Sequence, residues 1–338
     1  MTIKGFWPFF IVSTVLAVFY AQHFLTNLSP SSPLVEVGDM ALAAISRNVV
    51  KKVLAVETPE GAGALVRRSI GSMTLRNLTP FLMLDHFHVS EGAGFPDHPH
   101  RGQATVTYML EGSSQHEDSA GHKGTIHAGG VQWMCAGKGI IHAEMPVHQQ
   151  GSPDPRGLQL WVDLPKQYKM VDPSYQELGP DQIPVAYPAG PDGPVKVKVI
   201  SGKSHGVESP VRPLGGCWFL HITFNRDGEM FQHIPGGWTS FLYIWKGVLT
   251  VGSDETVVPE FHTAVLSADA DQTGVKISGK ENTELVLVTG EPLDQTVFQY
   301  GPFVMTTREE IQKTLIDYQS GKNGFERAHT WKSEIAHK

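Results

Sequence analysis

Short apolar runs that alternate with polar residues, each closed by glycine or another turn-forming residue, are the main pattern of the chain beyond about residue 50. Residues 104–110 and 131–135 are such runs, and a glycine-containing turn follows each of them. Runs of roughly four to seven residues that recur about every ten residues are typical of strands in an antiparallel sandwich or barrel. The pattern therefore predicts an all-β protein.

A second series of similar runs occupies the later half of the chain, at residues 195–200, 218–224, 240–244, 248–251, 263–266 and 285–289. The polar, proline-rich stretch between the two series predicts a connection. We therefore divide the chain into an N-terminal extension (1–45), a first β domain (46–164), a connecting segment (165–194) and a second β domain (195–338).

The clearest predicted helix lies near the C-terminus. Thr307-Arg-Glu-Glu310 has the spacing of a capping box, and Ile311, Leu315 and Tyr318 recur at helical spacing. The pattern stops near Gly321. We expect this helix to pack on a barrel rather than to act as a recognition element.

The first residues form a separate hydrophobic segment. From Gly5 to Val35 there is no Asp, Glu, Lys or Arg, and residues 6–21 are almost wholly apolar. This length suits a cleaved signal peptide or an uncleaved membrane anchor, and a true start at Met40 is the third alternative. Any membrane contact is expected only through residues 5–28.

Charge and cysteine content exclude several classes of function. The formal net charge is −7 and the basic residues are scattered, so direct binding of nucleic acid is not expected. A role in transcription would need a protein partner. The two cysteines, Cys135 and Cys217, cannot build a disulfide framework or a cysteine-based zinc site, and we expect both to be small buried residues.

Two short patterns carry candidate chemistry, His98-Pro-His100 and His142-Ala-Glu144. Alternate side chains of a strand share a face, so each triplet can direct two ligands to one point. Two such strands lining one barrel can supply three imidazoles and one carboxylate. This set suits a first-row transition ion, but by itself it leaves Mn, Fe, Co, Ni, Cu and Zn open.

Longer motifs resemble the pirin family. They include Phe95-Pro-Asp-His-Pro-His-Arg-Gly102, Gly137-Lys-Gly-Ile-Ile-His-Ala-Glu-Met-Pro146, Gly157-Leu-Gln-Leu-Trp161, Gly301-Pro-Phe-Val-Met305 and Lys322-Asn-Gly-Phe-Glu-Arg327. The resemblance covers the chain from about residue 50 to the C-terminus. It implies two cupin-type antiparallel β-barrels in tandem, followed by the C-terminal helix.

The resemblance also implies the identity of the ion. Pirins hold one iron, Fe(II) or Fe(III), in the N-terminal barrel, and the matching positions here are His98, His100, His142 and Glu144. The second barrel is expected to hold no metal, so the isolated His221, His233 and His262 are assigned structural roles. For Arg101, the sequence leaves open a salt bridge, neutralisation of the site or an anchor for a substrate anion.

Two functions follow from the resemblance. The first is cleavage of a flavonol such as quercetin by O₂, a quercetin 2,3-dioxygenase activity in which Glu144 acts as general base. The second is a non-catalytic, redox-sensing co-regulator that binds a transcription-factor partner. The family implies nucleus and cytoplasm as the location, whereas the hydrophobic N-terminal segment leaves membrane or secretory targeting open.

Overall fold

Strands dominate the residues that a computed structural model describes, which are 44–148, 151 and 153–337. The prediction of an all-β protein is confirmed. The predicted N-terminal extension, with Met40 and residues 5–28, lies almost wholly outside these residues. Within them, no helix has both the length and the apolar character that crossing a membrane requires.

The strands of the first half are β1 (Val49–Leu54), β2 (Val56–Glu60), β3 (Ala64–Arg68), β4 (Phe81–His88), β5 (Phe95–His100), β6 (Gln103–Glu111), β7 (Ser113–Asp118), β8 (Lys123–His127), β9 (Val131–Cys135), β10 (Ile140–Val147) and β11 (Arg156–Asp163). They are followed by β12 (Ser174–Leu178) and β13 (Val185–Ala186). The predicted runs 104–110 and 131–135 correspond to β6 and β9.

The N-terminal barrel consists of a large sheet, in the order β12-β9-β6-β11-β4-β3-β2, and a small sheet, in the order β5-β10-β7-β8. Apolar side chains from both sheets pack together between them, including Val66, Phe87, Met109 and Ile126. Polar side chains are also buried in this barrel. Because Thr105 and Thr107 alternate with the apolar Val106 and Tyr108 along β6, one face of the strand is polar and the other apolar.

The strands of the second half are β14 (Val195–Ser201), β15 (Lys203–Ser204), β16 (Val207–Glu208), β17 (Cys217–Phe224), β18 (Gly228–His233), β19 (Thr239–Lys246), β20 (Leu249–Val251), β21 (Thr256–Val258), β22 (His262–Leu266), β23 (Gly274–Gly279), β24 (Glu284–Gly290), β25 (Phe298–Tyr300) and β26 (Phe303–Met305). All six predicted runs of this half lie within or at the edges of observed strands.

The C-terminal barrel has a large sheet, in the order β1-β22-β19-β24-β17-β14-β13, and a small sheet, in the order β18-β23-β20-β21. Its interior is filled by apolar side chains such as Val197, Ile222, Leu249 and Ile277. A third apolar cluster joins the two large sheets and includes Phe81 and Phe241, whose ring centroids lie 5.0 Å apart.

Each end of the described chain contributes to the barrel of the other half. Strand β1 pairs with β22, with Val53 opposite Thr263, although the sequence pattern placed β1 within the first β domain. At the other end, Phe303 and Phe325 pack with Ile141 of the N-terminal barrel. The two halves are therefore interlocked by segments remote in sequence.

The predicted connection 165–194 is more structured than its polar composition indicates. Strand β12 pairs with β9 at the edge of the N-terminal large sheet, and β13 pairs with β14 of the other large sheet. The sequence pattern does not predict β12 because it is an edge strand. Its side chains are exposed or half-buried and show no apolar alternation.

The predicted helix is confirmed as α1 (Arg308–Ser320). Thr307 Oγ1 accepts a hydrogen bond from the backbone N–H of Glu310 at 3.1 Å, and the Glu310 carboxylate accepts one from the N–H of Thr307 at 3.0 Å. Gly321 ends the helix with a φ of 63°, a left-handed conformation that favours glycine.

Arg101 fixes this helix to the N-terminal barrel. Its buried guanidinium donates to Asp317 Oδ2 at 2.9 Å and to Thr314 Oγ1 at 3.1 Å, and it lies over the ring of Phe325. Of the three roles left open for Arg101, the structure shows the salt bridge. The two cysteines are buried and free, as expected.

Candidate metal centre

Three of the four predicted ligands meet on the small sheet of the N-terminal barrel. Strands β5 and β10 are antiparallel neighbours, and His98 lies directly opposite His142. Because alternate side chains share a face, His100 joins them, and one ring nitrogen from each of the three histidines lies within 4.8 Å of the others.

Glu144 lies two residues beyond His142 on β10 but does not join this group. A register shift interrupts the pairing of β10 with β5 between His142 and Glu144. The Glu144 carboxylate instead accepts hydrogen bonds from Thr107 Oγ1 at 2.7 Å and from Gln159 Nε2 at 3.0 Å. Its role as fourth ligand stays a prediction.

The imidazoles of His98 and His142 fit a metal ion. His98 Nδ1 lies 2.8 Å from the carbonyl oxygen of Pro96, so its proton is on Nδ1 and its Nε2 presents a lone pair. That Nε2 lies 3.0 Å from His142 Nε2. Adjacent ligands around an ion with bonds of about 2.1 Å are separated by roughly 3 Å, which is the spacing found here.

A buried glutamine supports the third imidazole. The Gln103 amide nitrogen lies 2.8 Å from His100 Nδ1, while Gln103 Oε1 has no hydrogen-bond partner among the described residues. A histidine that binds metal through Nε2 carries its proton on Nδ1 and donates it to a neighbouring acceptor. If the side-chain amide of Gln103 is rotated by 180°, its unpartnered Oε1 accepts a hydrogen bond from Nδ1 of His100.

Burial also prepares the histidines as ligands. Removal from water lowers the pKa of His100 and of His142 well below the ordinary value for histidine, and the nearby imidazole of His98 lowers both further. Both rings are therefore neutral at pH 7, and a neutral imidazole is the form that binds a metal. Three imidazoles suit a first-row transition ion.

A cavity of about 590 Å³ adjoins the cluster. His98, His100 and Glu144 line one side of it, and the ring of Trp161 meets that of His100 edge-to-face at a centroid distance of 5.1 Å. Leu82, Met83, Phe87 and Phe95 give the remaining wall apolar surface, and charged side chains such as Arg68 and Asp85 also line it. A cavity of this size and character suits a small, mostly apolar ligand.

Sequence patterns did not indicate the residues that support the cluster. Gln103, Thr107 and Gln159 are buried or half-buried and contact the predicted ligands, but glutamine and threonine are not ligand types. The available signal was the alternation along β6, which predicts that Gln103 and Thr107 share a strand face.

Other histidines of the described residues are not part of the cluster. His86 contacts the hydroxyl of Tyr243 at 3.1 Å, His88 contacts Asp154 on the surface, and His127 is exposed. In the second half, His221 Nδ1 lies 2.8 Å from the hydroxyl of Tyr108, which joins the two barrels. His233 and His262 lie on β18 and β22.

Comparison with known proteins gives a consistent result. The family model "Pirin" matches residues 63–162, and the model "Pirin C-terminal cupin domain" matches residues 219–324. A pirin-like protein of Solanum lycopersicum is 50% identical over 291 residues, which cover 85% of this chain and 97% of that protein. Human pirin is 46% identical over 293 residues, which cover 86% and 98%.

Among solved structures, a quercetin 2,3-dioxygenase from Acinetobacter baumannii is similar to this chain with a TM-score of 0.75 and 28% identity. The match covers 83% of this chain and 99% of that one. The sequence prediction of two tandem cupin-type barrels is thereby confirmed. The chain belongs to the pirin family.

Proposed function

We propose that the protein is an iron-dependent dioxygenase that cleaves flavonols of the quercetin type. The observation that carries this proposal is the cavity, because it places an apolar, ligand-sized space directly against His98 and His100. The similarity to a quercetin 2,3-dioxygenase supports the choice of substrate class.

A bound iron would supply Lewis acidity at the flavonol 3-hydroxyl and a route for electrons to O₂. The proton of that hydroxyl then needs an acceptor. Glu144 lines the same cavity, and its two oxygens are oriented by Thr107 and Gln159. In this proposal Glu144 is the general base, and its two hydrogen-bond donors hold the carboxylate in position to receive the proton.

The walls of the cavity suit a flat aromatic ring system. Phe87 and Phe95 form an edge-to-face pair with ring centroids 6.5 Å apart, and both line the cavity with Met83. Such surfaces bind apolar rings and exclude water from the reacting group. Gln299 and Pro302 close another part of the wall, so the segment around β25 belongs to the substrate site.

The test is flavonol turnover by the iron-loaded full chain, measured with an oxygen electrode and by loss of flavonol absorbance. We expect one O₂ consumed per flavonol. Glu144→Gln should lower kcat at least about 100-fold, since loss of a general base typically has effects of that size. Glu111→Gln changes an exposed carboxylate at the end of β6 and should retain activity. Iron-loaded protein without turnover would refute the proposal.

The co-regulator function is the alternative, and one observation favours it. Tyr300 and Phe298 are 62% and 39% exposed on β25, where the neighbouring Gln299 and Gly301 line the cavity. An exposed aromatic pair at the rim of the cavity suits contact with a protein partner. If a transcription-factor partner binds the ferrous and ferric forms equally well, redox sensing is excluded.

A further inference from the structure

A second group of ligand-type side chains lies in the N-terminal barrel, apart from the centre described above. It consists of His116 on β7, His122 in the turn before β8 and Glu177 on β12, and one ligand atom from each lies within 4.8 Å of the others. Glu177 Oε1 is 3.1 Å from His116 Nε2 and 3.1 Å from His122 Nε2. Both distances are close to the separation of neighbouring ligands around one small ion.

The buried member of the group has a ring nitrogen without a hydrogen-bond partner among the described residues. His116 is 3% exposed, and the nitrogen is its Nε2. Glu177 Oε1 is near enough, but the two groups are not aligned for a hydrogen bond. A metal ion between His116 and Glu177 would give Nε2 a partner. The Nε2 lone pair would then have to face the ion and not the carboxylate oxygen.

Space for His116 depends on a glycine. Gly124 is its cross-strand partner in β8, and a β-carbon at Gly124 would lie 2.7 Å from His116 Nε2. Any side chain there would therefore occupy the position that the imidazole and a bound ion need.

The other two ligands are held in place by their neighbours. Asp118 Oδ1 accepts hydrogen bonds from the backbone N–H groups of Ala120 and His122, which fixes the turn. The His122 ring stacks on Tyr175 with centroids 4.2 Å apart. The Gln132 amide donates to Glu177 Oε1 at 2.6 Å. Such supporting contacts orient ligands before an ion arrives.

Charge and access also suit a cation. The Glu177 carboxylate supplies negative charge beside the two imidazoles. The side chains of His122 and Glu177 are 37% and 36% exposed. An ion can therefore enter from solvent, and water or an external ligand can fill its remaining positions.

We propose that His116, His122 and Glu177 form a second metal site, which binds a divalent first-row ion of the Zn²⁺ class. Two imidazoles and one carboxylate are a ligand set that zinc uses where further positions stay open. The site shares no ligand with the three-histidine centre and does not depend on the dioxygenase proposal. It links the β7–β8 hairpin of the small sheet to β12, the edge of the large sheet.

The test is titration of metal-free, full-length protein with Zn²⁺ alone, in competition with a chromophoric chelator. We expect two equivalents bound by the wild type and one by His122→Ala and by Glu177→Gln. Both changes are at half-exposed positions, and circular dichroism verifies that the variants fold. His127→Ala removes an exposed histidine from the same hairpin and should bind as the wild type does.

A variant of the first centre separates the two sites. His98→Ala should lose the first equivalent and retain the one that Glu177→Gln abolishes. In zinc-soaked crystals, anomalous scattering should place a peak among His116, His122 and Glu177. If His122→Ala and Glu177→Gln bind as much Zn²⁺ as the wild type, or if no anomalous peak lies there, the second site does not exist.

Discussion

At the scale of residues, the first metal centre depends on side chains that do not themselves bind the ion. His98 is oriented by the Pro96 carbonyl, and His100 is oriented by Gln103. Gln103 is fully buried, and the end of its side chain lies between His100 and the carbonyl oxygen of Pro302, in the segment that closes the cavity. Its amide is therefore a determinant of both ligand geometry and cavity shape.

Replacement of Gln103 by leucine should lower affinity for Fe(II) about 10- to 100-fold, the usual effect of removing a partner of a ligating histidine. The reason is that the Nδ1 proton of His100 would then lack an acceptor. Chelator competition measures the affinity. Gln312→Leu, on the exposed face of α1, is the control and should bind normally. Equal affinity in Gln103→Leu would show that this contact does not support the site.

At the scale of elements, much of the fold follows from local sequence. Alternation predicts β6, β9 and the major strands of the second half, and the capping box predicts α1. The pair His98 and His100 shows why ligands could be identified too, since residues two apart on a strand share a face. The same rule did not suffice for Glu144, which lies two residues from His142 but beyond a register shift and outside the cluster.

Features that depend on distant pairing could not be predicted in this way. Glu177 meets His116 and His122 only because β12 and the β7–β8 hairpin come together in the fold. No spacing rule joins two segments so far apart in the sequence. The pairing of β1 with β22 was missed for the same reason, because an apolar alternation indicates a strand but not its neighbour.

The N-terminal cap of α1 should contribute measurably to stability. Thr307→Ala removes the oxygen that accepts from the Glu310 N–H, and it should lower the free energy of unfolding by about 1 kcal/mol. Chemical denaturation measures the change. The exposed Thr330→Ala is the control and should be nearly neutral. An unchanged midpoint for Thr307→Ala would mean that other contacts hold the end of the helix.

At the scale of the whole molecule, the two barrels pack through their large sheets, and this interface is not purely apolar. Tyr108 contacts His221, and His86 contacts Tyr243, in each case across the interface. Burial, followed by the charges of Arg156 and Arg67, lowers the pKa of His86 to about 4. His86 is therefore neutral in the folded protein at pH values where the unfolded chain takes up a proton.

This difference predicts a pH dependence of stability. An unfolded histidine protonates near pH 6.5, so acidification favours the unfolded state until pH falls to about 4. Between pH 7 and pH 5, the protonation of His86 in the unfolded state should lower the free energy of unfolding of the wild type by about 2 kcal/mol. The His86→Leu variant should lack this contribution to the change of the free energy of unfolding with pH.

Urea denaturation at pH 7, 6 and 5 measures this pH dependence of stability. The metal content of the protein is kept the same in all experiments. The exposed His127→Leu is the control, and we expect it to keep the wild-type slope. If His86→Leu also loses stability as steeply as the wild type, the histidine is not buried in its neutral form.

The interlocked ends described for the fold have a consequence for the gene. A break anywhere in residues 165–194 would give a first fragment without Phe303 and Phe325 over its barrel, and a second whose β22 edge lacks β1. That edge would present unpaired backbone groups, which promote aggregation. Neither fragment is a module that recombination could transfer alone. We therefore expect the two barrels to be inherited together.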